Sequence, residues 1–224
     1  MNGKLTTAAM ISIIIFLTVA DIILFSGKYY DVASLIAAFL SCIPFYITFE
    51  KSKATSKEIM LVALMTAFSV CGRIMFSFKP ITAFTIISGM YLSAPAGFIC
   101  GSFSALISNI YFGQGPWTLF QMISWGLIGF ISGVIGEKLL EKRIILVIYA
   151  FISGVLFSLI MDLWTVLNID KEFNFSRYII QLISSFPIMI VYSLSNIVFL
   201  ILLQKPIGKK LKRAKKRCGI FEYR

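Results

Sequence analysis

The chain has 224 residues, 58% of them apolar and 14% charged, with a mean hydropathy of +0.90 and a formal net charge of +11. Soluble domains carry about a quarter of charged residues, so this balance excludes one and points to an integral membrane protein. Histidine is absent, which removes the commonest metal ligand and general base and with them most designs for an intramembrane hydrolase.

Apolar runs fall at 8–26, 32–49, 58–76, 81–93, 95–111, 117–139, 143–166 and 177–204. A helix crossing ~30 Å of hydrocarbon needs about 20 apolar residues. No alternating short strands suggest a barrel. The expected fold is therefore all-α, a polytopic transmembrane helical bundle. The run at 81–93 is short for a span. The first run has no small-residue cleavage site and is followed at once by another, so it reads as a structural helix and not as a removed leader. The chain divides into two N-terminal transmembrane helices at 1–50, a six-helix core at 51–204 and a basic tail at 205–224.

Lys and Arg near span ends resist translocation. With both termini inside, 16 of the 21 cations fall on the cytoplasmic side, in the segments around Lys4, Lys51–Lys57, Lys138–Arg143 and 205–224. Only Lys28, Arg73, Lys79, Lys171 and Arg177 fall outside, so both termini are expected in the cytoplasm. The tail Lys209–Arg217 reads as a retention signal in contact with anionic lipid headgroups, each cation worth about 1 kcal/mol there, and not as a nucleic-acid patch. Asp21 lies near the outer end of the first span and reads as interfacial.

In the third span Ala63 and Ala67 form a small-x-x-x-small pair that lets another helix approach closely. The glycines at 97, 101, 126, 129, 133 and 136 recur at roughly helical spacing and read as packing residues. The outward turn from Ser108 to Trp117, Ser-Asn-Ile-Tyr-Phe-Gly-Gln-Gly-Pro-Trp, carries more amides and rings than a connector requires.

Three outward loops, near 76–81, 112–117 and 167–177, can roof one cavity. Arg73 and Lys79 bring positive charge; Asn109, Gln114 and Gln121 bring neutral hydrogen bonds; Phe76, Phe78, Phe112, Trp117 and Trp125 bring flat apolar faces. Apolar walls with a few convergent polar groups are the usual make-up of a small-molecule site. Each residue has a plainer reading: Trp117 and Trp164 as interfacial anchors, Arg73 as a snorkelling cation, Asn109 and Gln121 as helix-to-helix hydrogen bonds. Asp162 reads as an ion pair with Arg73 or Arg177, as simply exposed, or as a ligand contact.

Cys42, Cys71, Cys100 and Cys218 form no Cys-x-x-Cys pair and read as packing residues. No phosphate-cradling Gly-x-x-x-x-Gly-Lys-Ser/Thr loop is present, so ATP-driven work falls to another chain. No nucleophile, metal set or paired carboxylate supports an enzyme, and neither a cofactor nor a metal is expected.

The segments Arg73–Ala83, Gly97–Gly101, Ser108-Asn109, Phe112–Trp117, Gln121-Met122 and Trp125–Gly129 resemble the substrate-capturing S component of energy-coupling factor transporters, most densely over 58–139 and extending to 204. The resemblance implies a bacterial cell-membrane subunit with a six-helix core that binds a vitamin-type micronutrient from outside. It also implies docking on a membrane T component driven by two ATPases, with Ala63 and Ala67 matching the docking motif and the three outward loops forming the pocket. The subgroup is loosely similar to those for cobalamin-type or related cofactor uptake. The two N-terminal helices lie beyond the family core. The alternative is a stand-alone secondary transporter or channel, which calls for ion-binding groups at mid-membrane; the spans offer few.

Overall fold

Seven helices account for residues 56–218 in the computed structural model, which describes residues 55–75 and 80–218 together with separate positions between 39 and 50. They are α1 (Ser56–Met75), α2 (Ile81–Tyr91), α3 (Ala94–Phe112), α4 (Trp117–Val134), α5 (Gly136–Glu141), α6 (Arg143–Asp170) and α7 (Phe175–Cys218). No strand occurs among the described residues, and five of these helices are long and apolar enough to cross a membrane. The protein is an all-α polytopic membrane bundle. The expected span at 8–26, Asp21, and the loop residues Phe76, Phe78 and Lys79 lie outside the described residues, as does most of the span at 32–49.

Local chemistry sets several boundaries. Thr55 Oγ1 accepts from the Glu58 amide at 3.3 Å at the start of α1, half of a capping box. Ser93 caps α3 by accepting from the Ala96 amide at 3.3 Å, with Pro95 in the first turn. Gly113 ends α3 at φ 101°, a conformation that glycine adopts without a Cβ penalty. Pro116 then precedes the first turn of α4.

The short run at 81–93 becomes α2, whose eleven residues are all buried. At 1.5 Å per residue it extends about 16 Å, roughly half of the hydrocarbon thickness. It is a central post packed against α1, α3, α4 and α7.

Around that post the backbones come unusually close. A Cβ on Gly97 would overlap the Gly129 carbonyl, and one on Gly129 would overlap the Gly97 carbonyl. A Cβ on Gly89 of α2 would also overlap Gly129. Small residues that let helices approach closely are a main source of association in lipid, where no hydrophobic force separates helix from tail. Gly154 of α6 meets the Ser193 backbone of α7 in the same way.

The expected end of the last span at 204 is not a break. Helix α7 runs through Pro187 and Pro206 to Cys218, 44 residues in all, so the basic segment continues the helix. One face of that extension packs on the end of α2. Gln204 Nε2 donates to the Tyr91 hydroxyl at 2.9 Å, and Lys215 Nζ donates to the Tyr91 carbonyl at 3.0 Å and the Leu92 carbonyl at 3.4 Å. Lys212 lies over the Tyr91 ring and Leu211 is buried. Lysine donating to the last carbonyls of a helix complements its dipole.

Candidate functional site

At the opposite end from Lys215, four helix ends meet: α1 finishes, α2 begins, α3 finishes and α4 begins. Arg73 in the last turn of α1 is only 5% exposed. Its Nη1 donates to Ser108 Oγ and to Asn109 Oδ1, the latter at 2.9 Å, and its Nη2 donates to Gln121 Oε1 at 3.4 Å. Asn109 Nδ2 donates onward to Thr118 Oγ1 at 2.8 Å and to Gln121 Oε1 at 2.9 Å. One guanidinium thereby ties α1, α3 and α4 together through neutral side chains.

Aromatic rings complete the surround. The Arg73 guanidinium carbon lies 4.9 Å from the Phe112 ring centroid and 4.8 Å from that of Trp125. Desolvated contacts of this kind reach about 2 kcal/mol. Trp125 donates its indole N–H to Thr82 Oγ1 of α2 at 3.2 Å and stacks on Phe157 of α6 at 4.6 Å. Phe157 in turn meets Tyr192 of α7 at 5.8 Å, so the ring ladder extends across the bundle.

The turn between α3 and α4 folds back on the same cluster. Gln114 Nε2 donates to the Leu106 carbonyl at 2.7 Å, and its Oε1 accepts from Thr118 Oγ1 at 3.0 Å. Gln114 nevertheless remains exposed, as do Phe112 and Trp117. The Trp117 ring lies against Gly115, where a Cβ would overlap it. A solvent-facing rim of amide and rings therefore sits directly over a buried polar cluster.

Of the sequence-derived candidates, Arg73, Asn109, Phe112, Gln121 and Trp125 come together directly, with Gln114 joined through Thr118. Asp162 is 5% exposed and accepts from Ser185 Oγ at 2.5 Å and Gln181 Nε2 at 3.2 Å, both on α7. Neither suggested cation pairs with it: Arg177 Nε donates to Asp170 at 2.6 Å, and Arg73 is held by the neutral cluster. Trp164 is 5% exposed and packs 4.8 Å from Phe120, so its ring is buried within the bundle.

Sequence reasoning passed over Thr82, Thr118 and the hydroxyl of Ser108 as participants. Thr118 carried a readable signal, since it stands four residues after Gln114 at the start of a helix, within side-chain reach. Thr82 carried none, because its role depends on how α2 meets α4.

On the flank of the bundle, Ala63 and Ala67 are exposed and line an open apolar groove of about 630 Å³ between α1 and α3, with Thr66, Ile99, Phe103 and Phe49 among its walls. Tyr46 packs edge-on against Phe98 and Phe103, at 6.0 and 5.9 Å, beside it.

A multi-pass bundle with a basic end, a polar and aromatic cluster at the other end and an apolar groove along one side is an integral membrane protein with a candidate small-molecule site. Residues 53–213 match the family described as ECF-type riboflavin transporter, S component, and the chain belongs to that family. No curated protein and no solved structure matches.

Proposed function

We propose that this chain captures a flavin-class micronutrient from outside a bacterial cell and delivers it inward when docked on a T component and its two ATPases. The observation that carries this reading is the Arg73–Asn109–Gln121 cluster roofed by Phe112, Gln114 and Trp117. An isoalloxazine has an edge of alternating hydrogen-bond donors and acceptors and two flat apolar faces. Amides match the first and aromatic rings the second. The matched family is described by riboflavin, which favours a flavin over the cobalamin-type ligand expected from sequence.

The cluster end faces outward and both termini are cytoplasmic, in keeping with the distribution of cations, 16 against 5. Ligand binds without ATP, since the sequence holds no phosphate-binding loop. Helix α1 docks through the groove beside Ala63 and Ala67, where two small side chains admit a partner helix to close range. The whole bundle then tilts in the complex and releases its ligand inward.

Titration of the purified chain with riboflavin tests the reading, since stacking on tryptophan quenches flavin emission. Saturable one-to-one quenching, weakened by Gln121→Leu, is the expected result. No quenching by riboflavin alongside binding of cobalamin would defeat the flavin assignment. Uptake by this chain alone in liposomes under an ion gradient would favour a stand-alone secondary transporter instead.

A further inference from the structure

The guanidinium of Arg73 is buried, yet its partners are all neutral. Among the described residues no carboxylate lies within ion-pair distance of it: Asp170 holds Arg177, and Asp162 is engaged by Ser185 and Gln181. A cation withdrawn from water without a counter-charge is costly, and such charges inside a membrane protein are usually paired.

The pattern of its bonds shows where a counter-charge would go. A guanidinium has five N–H donors. Both hydrogens of Nη1 are used, by Ser108 and Asn109, and Nη2 gives one to Gln121. The N–H of Nε is buried and, among the described residues, without an acceptor, and the neighbouring Nη2 is held only by the 3.4 Å bond to Gln121. Two parallel donors at that spacing fit the two oxygens of a carboxylate or phosphate. The rings of Phe112 and Trp125 lie over the guanidinium carbon, so an anion meets the group at its N–H edge.

We propose that Arg73 is an oxyanion subsite, and that the ligand captured here carries a phosphate or carboxylate that the Nε and Nη2 edge receives. This rests on the site assignment made above and narrows its ligand to an anionic one. Gln121 Oε1, which accepts from both Arg73 and Asn109, is the group that turns away when the anion arrives.

Two measurements on the detergent-purified full chain test the proposal. The first is the thermal midpoint in inorganic phosphate and in acetate, each against chloride at matched ionic strength. A rise specific to one of the two oxyanions is expected, identifies phosphate or carboxylate as the preferred group, and is lost in Arg73→Gln. The second is affinity for flavin mononucleotide against riboflavin: at least tenfold tighter binding of the phosphorylated form is expected, with the preference abolished in Arg73→Gln and reduced in Arg73→Lys, which keeps charge but not the fork. An oxyanion effect in a protein that binds neither flavin would sink the flavin reading and leave the subsite standing. Riboflavin binding as tight as that of its phosphate, with no oxyanion effect on the wild-type midpoint, would overturn the subsite and leave the flavin reading intact. An oxyanion effect of equal size in Arg73→Gln would also overturn it.

Discussion

Replacing Asn109 by leucine isolates what the polar cluster contributes, because the two side chains are close in shape and only one has polar atoms. Asn109 is 1% exposed, accepts from Arg73 at 2.9 Å, and donates to Thr118 at 2.8 Å and Gln121 at 2.9 Å. The substitution strands one N–H of a buried cation, and a hydrogen bond to a charged group is worth about 1.5–3 kcal/mol. The two neutral bonds between helices contribute about 0.6 kcal/mol each, the average found within a membrane protein. The combined loss is about 3–4 kcal/mol. At about 2–4 °C per kcal/mol for a chain of this size, the thermal midpoint falls by about 6–16 °C. Tryptophan fluorescence of the purified chain reports the transition, since Trp125 lies against the cluster. Ile110→Ala is the control, being a neighbouring residue that is 76% exposed on the outer face of α3. A fall in Asn109→Leu no larger than in that control would refute the reasoning.

Valine at Gly129 would drive a branched side chain into the Gly97 backbone of α3 and the Thr85 side chain of α2, and overpacking of this kind costs at least about 1–3 kcal/mol. The expected result is loss of the monodisperse peak in size-exclusion chromatography, while Gly136→Ala, whose Cβ would stand in ordinary contact 3.4 Å from Met90, retains the peak. Tryptophan at Ala63 or Ala67 fills the open groove on α1, so reconstituted transport with the energising module should fall at least tenfold while flavin affinity is unchanged. Transport at the wild-type rate would dismiss the groove as the docking face. Lys215→Met removes the donor to the Tyr91 and Leu92 carbonyls, and a midpoint lowered by about 3–8 °C is expected from a loss of about 1.5–2 kcal/mol.

Much of the bundle was legible because a bilayer imposes its own period: long apolar runs and clustered cations are forced by the cost of burying charge and unpaired backbone. Five of the six core runs each correspond to one helix, whereas the run at 117–139 divides at Ile135 into α4 and α5. What the pattern did not show was the complete burial of α2, whose eleven residues are too few to span and whose cover comes from neighbours distant in sequence. The run-on of α7 past Pro206 was hidden for a related reason, since its lysines look solvated until Tyr91 is placed beneath them. In the cluster, Asn109 and Gln121 were readable as amides that avoid lipid, and Arg73 as a cation near a span end. Their convergence on one guanidinium was not, because it depends on the close approach that Gly97 and Gly129 permit between α3 and α4. Asp162 misled because a carboxylate in an apolar helix invites a cation, whereas Ser185 and Gln181 across the α6–α7 interface satisfy it.

Site-directed labelling at Gln114 tests the central claim most directly, since this residue is exposed and joined to the buried cluster through Thr118. In intact cells carrying Gln114→Cys, with the parent chain as the blank, a membrane-impermeant maleimide should react from outside, and saturating flavin should slow that reaction at least tenfold. Labelling only after the cytosol is opened, or labelling at an unchanged rate with ligand bound, would contradict a ligand site at the outer end of this bundle.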